Sequence, residues 1–268
     1  MKERNAPQRE RLMRNIVLLF SVVALLCFCT QTRAENGRPP LKIGMDIPYP
    51  PFAMYDESGA LVGFDVEIAE AVCRVIGRTC EIIPLPFEAL IPAMESGKID
   101  LSVAGMVPTP ERKRVVDFTD RYFRSLSVYI QWGHTLHALK PEIIRGRTVA
   151  IQSGTLQGDY LMKQYGDEIT ILSTPAFEDV FVLMKEGKAD LALVDGLPAY
   201  TFLKTEAGSE FEAVGEPISL GGDDDLACIA VSKKLPALRN AINKALLTIR
   251  RTGEYAKINR KYFDFNVY

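Results

Sequence analysis

An arginine and an aspartate, far apart in this chain of 268 residues, carry the most specific chemistry in it. In "AGMVPTPERKRVVDFT" (104–119) an apolar run stops at Gly105, breaks over two prolines and delivers Glu111 and Arg112. Thr109 is placed to cap a helix N-terminus, with Pro110 at the first helical position. Backbone N–H groups at such a terminus already favour an anion. Arg112 in that first turn adds a planar, bidentate donor suited to a carboxylate. The competing reading is a surface pairing of Arg112 with a neighbouring acid; Lys113 and Arg114 read as solvated. In "LALVD", Asp195 ends an apolar run. A carboxylate there needs a cation or several donors, because burying it unpaired is costly; a helix cap or an internal salt bridge would also serve. Side by side the two would suit a zwitterion, with Arg112 on an α-carboxylate and Asp195 on an α-ammonium.

Other stretches look toward the same chemistry. "GMDIPYPPF" ends a short β run at Asp46 and then presents Tyr49 and Phe52 from a proline-stiffened loop. "LPFEALIP" sets Phe87 just after another β run. Tyr49 and Phe87 could clasp an aliphatic or cationic side chain, although core packing is an equally good use of either ring. After "TVAIQSG", Thr155 and the N–H groups of a further helix start face the same way.

The elements that would position these residues alternate throughout. "LKIGMD", "CEIIPL" and "DLSVAG" read as strands around helix-spaced "VGFDVEIAEAVCRVI" and "FEALIPAMESG". The order repeats downstream as "TVAIQSG", "TLQGDYLMKQYG", "EITILS", "FEDVFVLMKEG" and "DLALVDG". Such alternation implies an α/β fold with mainly parallel sheets. "MESGKIDLSVAG" (94–105) also aligns with "MKEGKADLALVDG" (184–196), each a helix end, a glycine cap and a buried strand. Two similar lobes follow. Ligands in open α/β sheets sit beyond the carboxyl ends of the strands, so Ala104-Gly105 and Asp195-Gly196 would open into one cleft.

The ends and the composition set the compartment. Residues 1–34 combine a basic leader, an apolar run from Ile16 to Cys29 and small residues at Thr32 and Ala34. That is an export signal, with cleavage expected after Ala34, and its apolar run is short of the roughly 20 residues a membrane-spanning helix needs. The formal net charge is −2, and the leader holds six of the cations against two acids. The exported chain is therefore more acidic still, which argues against a nucleic-acid or anionic-membrane partner. Of five cysteines, Cys73, Cys80 and Cys228 remain after cleavage. In "CRVIGRTC" a helix pattern ends at Gly77 and a strand begins near Cys80, a reversal that can bring Cys73 and Cys80 within disulfide distance; two buried thiols are the alternative. Cys228 reads as an inert core thiol. His134 and His137 lack nearby acids for a metal site, and Asp223, Asp224 and Asp225 read as a solvated turn. No cofactor motif is present.

"LKIGMDIPYPPF", "GFDVEIAEAVC", "FEALIPAMESGKIDL", "TPERKRVVDFTDRYF" and the terminal "KYFDFNVY" resemble the bacterial extracellular solute-binding proteins of family 3, nearest the lysine/arginine/ornithine- and histidine-binding members. The resemblance implies a two-lobed periplasmic-binding fold of type II with two crossover strands. Lobe 1 would hold residues 35–125 plus 222–268 and lobe 2 residues 126–221. It implies a non-enzymatic, monomeric receptor that delivers an amino acid to an ABC permease in the inner membrane. Carried over by position, Arg112 would hold the ligand carboxylate and Asp195 its amino group. Asp46 would face the side-chain end, and Tyr49 and Phe87 would pack the stem. Ala104, Gly105 and Val107 stand where those relatives carry serines before the arginine helix, and Leu156 follows Thr155 where a second hydroxyl is usual. A basic amino acid leads, with an opine or a glutamine-like ligand behind it. The rival from another class is a cyclohexadienyl dehydratase-like enzyme on the same scaffold.

Overall fold

A computed structural model describes residues 39–133, 139–220 and 225–268. The leader, His134, His137, Asp223 and Asp224 lie outside the described residues. The chain runs β1 (Leu41–Met45), β2 (Met54–Tyr55), β3 (Leu61–Val62), α1 (Phe64–Ile76), β4 (Cys80–Pro84), α2 (Leu90–Ser96) and β5 (Leu101–Met106). It continues through α3 (Pro110–Val115), β6 (Val116–Arg124), β7 (Ser127–Trp132), α4 (Pro141–Ile144), β8 (Thr148–Gln152), α5 (Leu156–Tyr165) and β9 (Thr170–Thr174). Then come α6 (Phe177–Lys185), β10 (Leu191–Asp195), α7 (Gly196–Leu203), β11 (Phe211–Ile218), β12 (Leu226–Ser232), α8 (Pro236–Arg251) and α9 (Glu254–Tyr262).

Two five-stranded sheets result, in the orders β4-β1-β5-β12-β6 and β11-β7-β10-β8-β9. In the first, β1 pairs in parallel with β4 and β5, while β12 runs antiparallel to β5 and β6. In the second, β8 pairs in parallel with β9 and β10, while β7 runs antiparallel to β10 and β11. Each sheet thus has four strands running one way and one, β12 or β7, running against them, and the expected α/β architecture with a doubled plan is present. The chain leaves the first sheet after Arg124 and re-enters it at Leu226. Helices α1, α8 and α9 cover the first sheet through a continuous core that includes Phe64, Ile68, Ile229, Ile242 and Ile249. Burial on both faces explains why β5 and β10 read as apolar runs instead of alternating.

The sequence repeat has one structural job in both halves. Gly97 and Gly187 sit in the left-handed region at φ 79° and 68°, ending α2 and turning the chain beyond α6. The N–H groups of Lys98 and Ile99 then bond to Ala93 O, as those of Lys188 and Ala189 bond to Leu183 O. Asp100 accepts from Lys42 N–H at 2.9 Å, and Asp190 accepts from Thr148 N–H at 2.8 Å. Each aspartate docks a helix–strand turn onto the first residue or two of the neighbouring parallel strand. The shared Gly-Lys-x-Asp-Leu is therefore a device for setting strand register.

Helix α1 shows how local sequence aims a functional loop. Its buried face holds Phe64, Val66, Ile68, Ala69, Val72 and Cys73, and Gly77 caps it in the left-handed conformation. Its first-turn Phe64 joins an aromatic cluster with Phe52, Tyr122, Phe123 and Phe263. Phe52 anchors the loop that carries Asp46 and Tyr49. The reversal after Gly77 brings Cys73 and Cys80 together as a disulfide, seven residues apart, while Cys228 is a buried free thiol. Burial pushes that thiol up to about 12, which suits an unreactive core residue. Closing a loop this short restricts the unfolded chain by roughly 2–3 kcal/mol. The double variant Cys73→Ser/Cys80→Ser should lose stability of that order in urea unfolding, with no change in the ligand contacts described below.

Candidate functional site

The carboxyl ends of β1, β5, β8 and β10 converge on one cavity of about 60 Å³ between the two sheets. The first sheet's half contributes Tyr49, Phe87, Ala104, Gly105, Val107 and Arg112; the second contributes Thr155, Leu156 and Asp195. Nine of the ten residues singled out for ligand contact thus line it, the exception being Asp46. The volume has room for about four waters, so the halves must part before an amino acid could enter.

Arg112 is built by its own helix. Thr109 accepts from Arg112 N–H at 3.2 Å as the cap of α3, with Pro110 at the first position. The guanidinium then spans the seam, donating to Val107 O at 2.8 Å in its own half and to Gly154 O at 3.0 Å in the other. It lies over the Phe87 ring at 5.5 Å. Burial lowers its proton affinity, and Asp159 offsets part of that. Gly154 allows the approach: at φ 74°, a side chain there would bring its Cβ within 2.9 Å of Glu88 Cβ from the opposite half. Thr155 holds the N-cap position of α5 but spends its hydroxyl on Gln152 O at 2.7 Å, so its side chain does not bond the first N–H groups of that helix.

Asp195 serves two of the uses open to it in the sequence. It caps α7 by accepting from Leu197 N–H at 3.2 Å, and it faces the cavity. Ser125 and Tyr49 also donate to it. Burial still dominates and raises its pKa to about 6, with Asp225 adding repulsion. Asp46 lies one layer behind the cavity wall. Its Oδ2 accepts from Gln152 Nε2 at 2.6 Å across the seam, and Phe87 N–H supplies a second bond. Desolvation nevertheless raises it to about 7. Asp65, buried in the first turn of α1, is also raised to about 7 by burial, against a bond from the Tyr122 hydroxyl. That hydroxyl in turn accepts from Gly105 N–H at 2.8 Å, which fixes the cavity floor where Gly105 turns at φ 59°.

The structure adds residues that sequence reasoning passed over. Gln152, Ser125, Ser127, Gln157 and Phe177 line the cavity as well. Gln157 Nε2 donates to Ser127 Oγ at 3.0 Å, and Phe177 meets Tyr49 edge-on with centroids 5.3 Å apart. Gln152 was open to discovery, since it ends β8 just as Asp195 ends β10. The crossover serines carry no comparable signal. Asp225 is buried and lines the cavity, and its Oδ1 accepts from Leu220 N–H at 2.9 Å. The solvated position expected for Asp225 is therefore corrected: beside the crossover its side chain is buried, and Leu220 N–H meets the carboxylate.

Asp46, Asp65 and Asp195 hold their protons to higher pH in the native protein than in the unfolded chain, where aspartate titrates near 4. The native state binds more protons between about pH 4 and pH 7, so these groups' contribution to stability falls as pH rises through that window. The ligand-free protein should melt several degrees higher at pH 5 than at pH 7.5 relative to an Asp65→Asn variant, in which part of that slope is removed. Equal slopes for the two proteins would contradict the buried-carboxyl assignment.

Residues 41–265 match the bacterial extracellular solute-binding proteins, family 3. The L-arginine-binding protein of Pseudomonas aeruginosa is 33% identical, with 96% of this chain and 99% of that one covered. The histidine-binding periplasmic protein of Escherichia coli K12 is 30% identical over the same shares. Among solved structures, an ancestral arginine-binding protein bound to arginine superposes with a TM-score of 0.78 at 33% identity, covering 84% of this chain and 99% of that one. A profile match over most of the chain, full-length relatives and a shared two-lobed fold lead to one conclusion: the chain belongs to family 3 of the bacterial extracellular solute-binding proteins.

Proposed function

We propose that this protein is a periplasmic receptor that closes on a basic amino acid and presents it to the permease of an ABC importer. The observation that carries this reading is the charge balance at the seam. Among the described residues lining the cavity, Arg112 is the one lysine or arginine, whereas Asp195 and Asp225 line it and Asp46 and Asp65 lie within a layer of it. A ligand with one carboxylate and two cationic groups reduces that excess by one; a neutral amino acid leaves it unchanged. The arginine- and histidine-binding names of the relatives agree with this choice.

In the proposed pose the ligand's α-carboxylate takes the guanidinium of Arg112 and the open N–H groups at the start of α5, beside Thr155 and Leu156. The α-ammonium replaces part of the hydrogen bonding now spent on Asp195. Tyr49 and Phe87 flank the stem from the first half and Phe177 from the second. We assign residues 35–125 plus 222–268 to one moving lobe and residues 126–221 to the other, hinged at the two crossovers. The ligand, touching both, favours the closed arrangement. Each charge-assisted hydrogen bond adds roughly 1.5–3 kcal/mol, and three or four reach the −8 kcal/mol or so of a micromolar complex.

In a thermal-shift screen of amino acids and opines, a basic member at 100 times its Kd should stabilise by about 2.7 kcal/mol, or roughly 5–10 °C for a chain of this size. Calorimetry should then show Arg112→Ala and Asp195→Asn each weakening that ligand by well over tenfold. An unchanged Kd in either variant would remove the corresponding group from the site. Incubation with arogenate or prephenate should yield no product; turnover would instead favour the dehydratase reading.

A further inference from the structure

Tyr122 and Asp65 do not line the cavity, yet both bear on its wall. Between β5 and β12, Ser102 pairs with Ala230 and Met106 with Cys228, so residues 103–105 face the single residue 229. Such a bulge takes backbone groups out of the ladder and re-aims them. At Gly105, where φ is 59°, the N–H donates to the Tyr122 hydroxyl at 2.8 Å. A Cβ at that position would come within 3.1 Å of the Phe123 ring. The tyrosine has little freedom of its own. It is 1% exposed, its ring stacks on Phe64 at 6.2 Å between centroids, and its carbonyl accepts from the Tyr255 hydroxyl at 2.6 Å.

A hydroxyl that accepts from Gly105 has one hydrogen left to donate, and Asp65 takes it. Asp65 is 2% exposed, and its Oδ1 has no hydrogen-bond partner among the described residues. The titratable groups that face it are Tyr122 from β6, Tyr49 from the loop after β1, Asp195 from the end of β10 and Tyr255 from α9, none of them a cation. Resting on the amino-acid reading above, we propose that Tyr122 and Asp65 are positioning residues for the ligand. Asp65 holds the tyrosine hydrogen, the hydroxyl oxygen is turned to Gly105 N–H, and the peptide joining Ala104 to Gly105 is fixed as cavity wall. Fixing the N–H of a planar trans peptide fixes its carbonyl as well, so the amino acid meets a wall already in place. Ionised Asp65 polarises the hydroxyl and strengthens its bond to Gly105; the neutral acid does so less. Burial raises Asp65 to about 7, so the relay tightens as pH rises through neutrality.

Two measurements test this. In NMR spectra of the ligand-free protein, the Gly105 amide resonance should titrate with a midpoint of about 7, and Asp65→Asn should abolish that titration. A Gly105 amide that stays still across this range, or that titrates equally in Asp65→Asn, overturns the relay. By calorimetry with L-arginine at about pH 8, Tyr122→Phe and Asp65→Leu should each weaken binding about tenfold, and the double variant no more than either alone, because both break one chain of bonds. Asp65→Asn, whose amide carbonyl still accepts from the tyrosine, should bind at least about threefold tighter than Asp65→Leu. At about pH 5.5, with Asp65 neutral in both proteins, the loss in Tyr122→Phe should shrink below about threefold. Wild-type affinity in Tyr122→Phe and Asp65→Leu, or a loss in Tyr122→Phe that is equal at both pH values, would reduce the pair to core packing and overturn the proposal. If the wild-type protein binds no L-arginine, the amino-acid reading falls and the ligand role of the pair with it; if it binds and the variants bind as tightly, only this inference falls.

Discussion

Carboxylates gathered in excess of cations at a buried seam are the constraint on which the rest of this structure turns. Asp46, Asp65 and Asp195 are each held protonated well above the usual aspartate range, and in each case burial is the main cause. Local donors temper the cost without removing it: Gln152 and Phe87 N–H for Asp46, Tyr122 for Asp65, Ser125 and Leu197 N–H for Asp195. A chain does not keep such a cluster for stability, because replacing buried ionisable groups with packed apolar ones is often neutral or stabilising. The cluster fits the proposed site for a positively charged ligand, in which Arg112 would hold the opposite pole of the same molecule.

The fold supplies that arrangement by repetition. Two sheets of one plan point the ends of their parallel strands at each other, so the last residue of β8 or β10 and the first residue beyond β1 fall at the seam. The turns that set this alignment are the paired glycine–aspartate devices at Gly97–Asp100 and Gly187–Asp190. Close approach is then permitted at Gly154, where backbone meets Glu88, and is held by Arg112 and Gln152 from opposite sides. The Arg112 and Gln152 contacts use groups that a ligand could compete for, whereas Lys204 to Asp264 at 2.9 Å joins the halves outside the cavity. Opening and binding are thereby coupled through the same few hydrogen bonds.

Much of this was legible in the sequence, for a physical reason. Arg112 and Asp195 stand at a helix start and a strand end, positions whose local geometry follows from Thr109-Pro110 and from "LALVD" without tertiary knowledge. The repeat likewise announced two halves because helix caps and strand entries are local events. The depth of Asp46 was not legible, since whether a side chain faces a cavity or a neighbour's amide depends on how closely two separately folded surfaces meet. Asp225 was misread for the same reason: a run of acids suggests solvent until a crossover folds one of them inward. Gln152 lay within reach of the strand-end argument, but an uncharged side chain raises no electrostatic alarm.

The central claim is that one dipolar ligand bridges the seam with its carboxylate on Arg112 and its ammonium on Asp195. A crystal structure of the protein grown with L-arginine tests it most directly. The account predicts the ligand's carboxylate oxygens within hydrogen-bond distance of the Arg112 guanidinium and its α-nitrogen within the same distance of an Asp195 oxygen, both halves in contact with it. A ligand lying the other way round, or seated elsewhere on the molecule, would contradict it.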